Sequence, residues 1–277
     1  MKRKEFLKGV GLAGLSVTSL ALLRSCSTDS DTYLLEEEDT TSGTDSDTSS
    51  DSTDSSSSDT TDTSSDTSSD TSSGTETVDD CEVTPSETEG PFPTHDPEDY
   101  ERVDIVGDRT GIDLDLNITI RNVNDSCNIL EGAIVDVWHC DKDGNYSEYG
   151  GSGMQSTNYT NNHFLRGRQI SNYNGLVEFA TIFPGWYNGR STHIHVHVYD
   201  ADGDSLLVTQ IAFPEGENSA VVRVNAASDY GYTKGMSGYT YHTQDNVFGD
   251  GVEEELASVS GSVSEGFTLT HDIYVNA

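Results

Sequence analysis

The sequence predicts an all-β domain, an antiparallel β-sandwich with long loops over residues 81–277, on three observations. Apolar residues recur with period two, the mark of half-buried strands. Gly, Asn and Asp punctuate the gaps between these runs. No segment carries a long amphipathic helical stripe. Seven or eight short strands in a domain of this size fit a sandwich.

The elements follow in order. Ile112, Leu114, Leu116, Ile118 and Ile120 alternate with Asp113, Asp115, Asn117, Thr119 and Arg121, and Ala133, Val135 and Val137 alternate within Gly132–His139. Leu176–Thr181, Thr192–Tyr199, Leu206–Phe213, Val221–Val224 and Phe267–Val275 read as further strands. Asp143-Gly144 and Asp202-Gly203 mark turns. The segments Asn145–Asn162 and Ser228–Asp250 exceed any simple hairpin loop, and loops of that length are usually functional.

Ahead of this domain the charge is unevenly spread. The formal net charge is −35: +4 over residues 1–26, −17 over residues 27–80, and −22 over residues 81–277. A polyanion of this kind does not bind nucleic acid by neutralising phosphates. In residues 1–26, Lys2, Arg3, Lys4 and Lys8 precede an apolar run from Gly9 to Leu23, the pattern of an export signal, and the run is short for a membrane span. Arg3-Lys4-Glu5-Phe6-Leu7-Lys8 is similar to a twin-arginine signal with one Arg replaced. Cys26 after Leu23-Arg24-Ser25 resembles a lipoprotein box, with Arg24 where a small or apolar residue is usual, so a lipid anchor at Cys26 is expected to tether an exported protein. Residues 27–80, nearly all Ser, Thr and Asp, bury too little apolar surface to offset their ordering entropy and are expected to form a disordered acidic tether.

Three further cysteines, Cys81, Cys127 and Cys140, lie in the domain, and an exported domain favours a disulfide. If residues 117–123 and 132–139 form a hairpin, Cys127 sits at its turn and Cys140 at its far end. Seven or eight residues at roughly 3.3 Å each then separate them, too far for a bridge. A bridge involving Cys81 is therefore expected, its partner left open. No C-x-x-C pair suggests a cysteine metal site.

The densest chemical signal is Pro184-Gly185-Trp186-Tyr187-Asn188-Gly189-Arg190-Ser191-Thr192-His193-Ile194-His195-Val196-His197. Residues two apart on a strand share a face about 6.6 Å apart, so His193 and His195 can reach one ion. Tyr187 stands in a turn just before that strand, and Tyr146 in a loop after Trp138-His139-Cys140. No serine-hydrolase motif, phosphate loop or nucleotide fingerprint is present.

These pieces resemble the intradiol ring-cleavage dioxygenases, in particular their exported, single-chain members. The matching segments are Thr88-Glu89-Gly90-Pro91-Phe92, Val135-Asp136-Val137-Trp138-His139 with Gly144-Asn145-Tyr146, Phe164-Leu165-Arg166-Gly167, Pro184 through His195, and Thr209-Gln210-Ile211-Ala212-Phe213. They occur in the family's order over roughly residues 81–250. The resemblance implies a non-haem Fe(III) held by Tyr146, Tyr187, His193 and His195, with Arg190 and Gln210 contacting the substrate ring and its developing charge. It implies cleavage of a catechol-type ring by O2, between the two hydroxyl-bearing carbons, to a cis,cis-muconate-type diacid, with Tyr187 as the residue that takes a substrate proton. Anionic phenolates are hard donors that favour Fe(III), which suits this set. Ala212 stands where the family often has Tyr, a departure that bears on substrate preference rather than on iron binding. His197 falls outside the motif, Trp138 reads as a pocket wall, and Arg166 and Arg168 read as loop supports. The competing reading is a catalytically silent β-sandwich binding module on a stalk, since such folds host many functions.

Overall fold

The computed structural model describes residues 81–277; the expected signal, anchor site and acidic tether lie outside the described residues. Two sheets face each other. The first holds β1 (Asp113–Asn122), β2 (Asn128–Ile129), β5 (Leu176–Ile182), β8 (Ser258–Ser262) and β9 (Gly266–Val275). The second runs β4 (Arg166–Ile170), β3 (Ile134–Trp138), β6 (His193–Tyr199), β7 (Ser205–Ala212). Leu114, Leu116, Ile118 and Ile120 of β1 pack in one core with Val135 and Val137 of β3 and Ile194, Val196 and Val198 of β6. The alternation in sequence is thus the division between this core and the outer faces.

The all-β sandwich expected from sequence is present, with particular departures. One pairing is parallel, β1 with β9, from Leu114↔Phe267 to Asn122↔Val275. Val221–Val224, read as a strand, lies in a helix, α1 (Ala220–Asn225). Its β-branched valines favour a strand, but Ser219 caps the helix by accepting from Val222 N. One turn apart, Val221 and Val224 then enter the core together. Strands β2, β4 and β8 were not anticipated. β4 reads Arg-Gly-Arg-Gln-Ile and shows no apolar alternation. Its core-side residue is Gly167, where an added Cβ would come within 2.5 Å of Ile105.

The disulfide joins Cys81 to Cys127, with Cα atoms 6.3 Å apart, and Cys140 is free and buried. Cys81 is therefore the cysteine that bridges, as expected. The hairpin assumed in reaching that expectation is absent, because β1 and β3 belong to different sheets. Closing a loop of 46 residues restricts the unfolded chain, and the chain-entropy relation puts the gain at about 4 kcal/mol. Cys127→Ser is expected to lower stability by roughly 2–4 kcal/mol, read from denaturant midpoints; an unchanged midpoint would count against the bridge.

Candidate active site

The outer face of the second sheet carries the polar residues of its strands. Register places Trp138 of β3 opposite Arg166 of β4 on one side and His195 of β6 on the other. His195 in turn lies opposite Gln210 of β7, and His193 opposite Ala212. A continuous cross-strand row, Arg166–Trp138–His195–Gln210, thus runs across the sheet, as the two-residue pleat requires. All four side chains are buried under loops.

Two loops bring tyrosines to this row. Tyr146 follows β3 and Tyr187 follows β5, and glycines let the two segments touch. An added Cβ on Gly144, at φ 84°, would lie 2.4 Å from Trp186 O, and one on Gly185 would lie 2.4 Å from Lys142 O. Lys234 Nζ ties the pair by donating to Asp143 O and Trp186 O. Gln155 holds the backbone of Tyr146 at both ends, accepting from its N–H and donating to its carbonyl.

Four rings converge. His193 and His195 have centroids 4.8 Å apart, Tyr187 lies 5.6 Å from His193 and 5.8 Å from Tyr146, and Tyr146 lies 6.0 Å from His195. The Tyr146 hydroxyl is 3.1 Å from His193 Nε2. His193 Nδ1–H donates to Ser191 O at 2.7 Å, which fixes the tautomer and leaves the Nε2 lone pair directed at the cluster. His195 has no hydrogen-bond partner at either ring nitrogen. Its plane is set by Trp138, stacked at 4.9 Å and 1°, and by Gly90, where an added Cβ would lie 3.1 Å from its Cε1. Burial pushes His193 down to about 3 and His195 well below the imidazole range, so both are neutral donors. Burial also raises both phenols, Tyr146 far above the usual tyrosine range. Ionised phenolates here would need a cation beside them.

This set fits a ferric ion on its own chemistry: neutral imidazoles, two phenols, and a buried imidazole whose nitrogens bind nothing else. Among the described residues no group of three or more His, Cys, Asp or Glu is arranged to hold a metal; the donors that gather are two imidazoles and two phenols. Gly90 has φ 68°. Gly90→Ala is expected to cost about 1–2 kcal/mol from backbone alone and to tilt His195. Its denaturant midpoint checks the first effect.

Arg190 and Gln210 also meet. Arg190 Nη2 donates to Gln210 Oε1 at 2.7 Å, and Arg190 Nε donates to both oxygens of Asp245 at 2.9 Å. Gln210 Nε2 donates to Thr88 O. Asp245 further accepts from Ser191 N and Oγ and from Val247 N. Burial would raise the Asp245 carboxyl, but these hydrogen bonds and the Arg190 charge outweigh it and hold it below the usual range. A cavity of about 390 Å³ opens beside Tyr187 and Arg190, lined also by Gly90, Pro91, Asn188, Asn246 and Val247. Ala212 packs under Val247 and Phe248.

The other candidates have structural surroundings. Arg166 is fully buried among loop carbonyls and hydroxyls, and Arg168 makes a two-point ion pair with Asp136. His197 contacts Ser205, Tyr199 and Glu89, and His139 contacts Thr181. Asp245 and Gln155 were missed in sequence. Neither sits in a motif, and only the fold brings Asp245 to Arg190 across 55 positions.

A family model described as "Dioxygenase" matches residues 89–234, more than half of the chain. Chlorocatechol 1,2-dioxygenase of Rhodococcus opacus is 33% identical over 107 residues, covering 32% of this chain and 38% of that relative. An intradiol ring-cleavage dioxygenase from Tetranychus urticae superposes with TM-score 0.61 at 28% identity, over 71% of this chain and 95% of its own. A second dioxygenase crystal structure gives TM-score 0.59 at 27% identity, over the same shares. The motif order, the sandwich and these likenesses agree: the chain belongs to the intradiol ring-cleavage dioxygenase family.

Proposed function

We propose that this protein is a non-haem Fe(III) dioxygenase that opens a catechol-type ring with O2, between its two hydroxyl-bearing carbons, to a cis,cis-muconate-type diacid. The observation that carries this reading is the convergence of Tyr146, Tyr187, His193 and His195, of which Tyr187 lines a ring-sized cavity, with His195 bound to nothing else. Those four residues would hold the ion. When bound, a ferric ion supplies Lewis acidity toward the two oxygens of a catechol and lowers their pKa.

The chain's own residues do the rest. Tyr146 is fully buried and its backbone is clamped by Gln155, so it is the fixed phenol. Tyr187 lines the cavity from a short turn and is only half-buried. It is the phenol free to receive a substrate hydroxyl proton at its oxygen. Arg190 and Gln210 form one hydrogen-bonded unit beside it, preorganised to stabilise charge developing on the ring. Loops covering the sheet face exclude water from the histidines.

Incubation of the iron-loaded protein with catechol under air tests the proposal. Oxygen uptake and a muconate-type diacid are expected, from a red-brown protein and without added reductant. A colourless iron-free protein that takes up no oxygen would favour a silent binding module, and a yellow semialdehyde would mean cleavage beside the hydroxyls. We propose further that the enzyme works outside the cytoplasm, anchored through Cys26. The Cys81–Cys127 disulfide supports an oxidising compartment. Cell fractionation checks it: full-length unprocessed chain in the cytosol would defeat it.

A further inference from the structure

We infer that the cavity beside Tyr187 takes an uncharged ring and discriminates against carboxylated catechols, because Asp245 cancels the charge of Arg190, the one cation that lines it. This rests on the ring-cleavage reading and adds the charge class of the substrate.

Arg190 is the single charged residue on the cavity wall, whose other polar side chains are Thr88, Tyr187, Asn188 and Asn246. None of the other Lys or Arg side chains of residues 81–277 lines it. Arg190 is already committed: Nε faces both oxygens of a fully buried Asp245, and Nη2 faces Gln210. The pair is net neutral. Beyond it lie the carboxyls of Glu87 and Glu255, close enough for the Arg190 charge to act on them; burial raises both, Glu255 to about 8, and neither supplies a cation. A substrate carboxylate entering here would lose its hydration and find no unmatched cation to replace it. The net charge of −22 on residues 81–277 also repels anions during approach. A ring bearing hydroxyl, methyl or halogen meets none of these penalties, and the amides of Asn188 and Asn246 can pair with neutral polar substituents.

Calorimetric titration of the iron-loaded full-length protein with phenol and with 4-hydroxybenzoate tests this. Neither ring has the second hydroxyl needed for cleavage, so the binding ratio is read whether or not the chain turns over catechol. Failure of the activity reading shows separately, as absent oxygen uptake with catechol. Phenol is expected to bind at least about tenfold more tightly. The ratio of kcat/KM for catechol over 3,4-dihydroxybenzoate should follow the same order. Equal or tighter binding of 4-hydroxybenzoate, or binding of neither ring, overturns the inference. In Asp245→Asn the uncancelled Arg190 charge should narrow or reverse the ratio; an unchanged ratio in the folded variant refutes the role of Asp245. If that variant does not fold, the wild-type ratio alone decides.

Discussion

His193→Ala and His195→Ala are each expected to strip the protein of most of its iron and nearly all ring cleavage. His193 is held in one tautomer by Ser191 O, with Nε2 toward Tyr146. His195 is held without any hydrogen bond, by stacking on Trp138. Both are neutral at pH 7 because burial lowers their pKa, so both offer a lone pair at no protonation cost. Removing either leaves three donors, two of them phenols that burial keeps protonated unless a cation is present. Losing residues that merely orient a ligand typically costs 10–100-fold in metal affinity; losing a ligand should exceed about 100-fold. Tyr187→Phe is expected to keep part of its iron, shift the visible band and turn over slowly, because Tyr146 and both histidines remain while the proton acceptor is gone. Elemental iron, visible absorption and oxygen uptake check all three variants. Full iron and full activity in either alanine variant would refute the site.

The histidine pair was legible in sequence because it shares the two-residue period of its strand, and the tyrosines because each stands in a Gly-containing turn at a strand end. What a linear reading does not contain is register. That Trp138, His195 and Gln210 form one row follows only from strands β3, β6 and β7 lying side by side. The commitment of Arg190 to Asp245 is hidden for the same reason. Strand period identified β1, β3, β5, β6, β7 and β9, whose core faces are largely apolar. It failed where the core-side residue is Gly167, where β2 has only two residues, and where Ser219 turns a valine-rich run into α1. Cysteine geometry pointed to Cys81 through a hairpin that does not exist: the bridge to Cys81 is there, but the premise that led to it is not.

Arg166→Met is expected to destabilise the protein by roughly 3–5 kcal/mol, the range for breaking a buried ion pair. Arg166 is fully buried at the end of the row that carries His195. Its guanidinium donates to Ser147 Oγ and Ser147 O in the Tyr146 loop, and to Phe92 O and Thr94 Oγ1 in the segment crossing above. It also lies 3.4 Å from the buried Glu148 carboxylate. Burial would raise Glu148, but Arg166 and hydrogen bonds from His95 N and His163 outweigh it and hold it ionised. Methionine fills similar volume yet satisfies none of these groups, so the loss is that of orphaned polar atoms and one uncompensated charge, not of a cavity. Glu148 also sits at φ 68°, a strained backbone that its neighbours must hold in place. The thermal midpoint should fall by about 10 °C or more for a domain of this size. Adding Glu148→Gln should restore part of the loss by removing the stranded charge, a coupling that a double-mutant cycle would read. Iron content in the single variant should fall with the loosened Tyr146 loop. A loss under about 1 kcal/mol, at the level of an exposed ion pair, would show that the loop holds Tyr146 without Arg166.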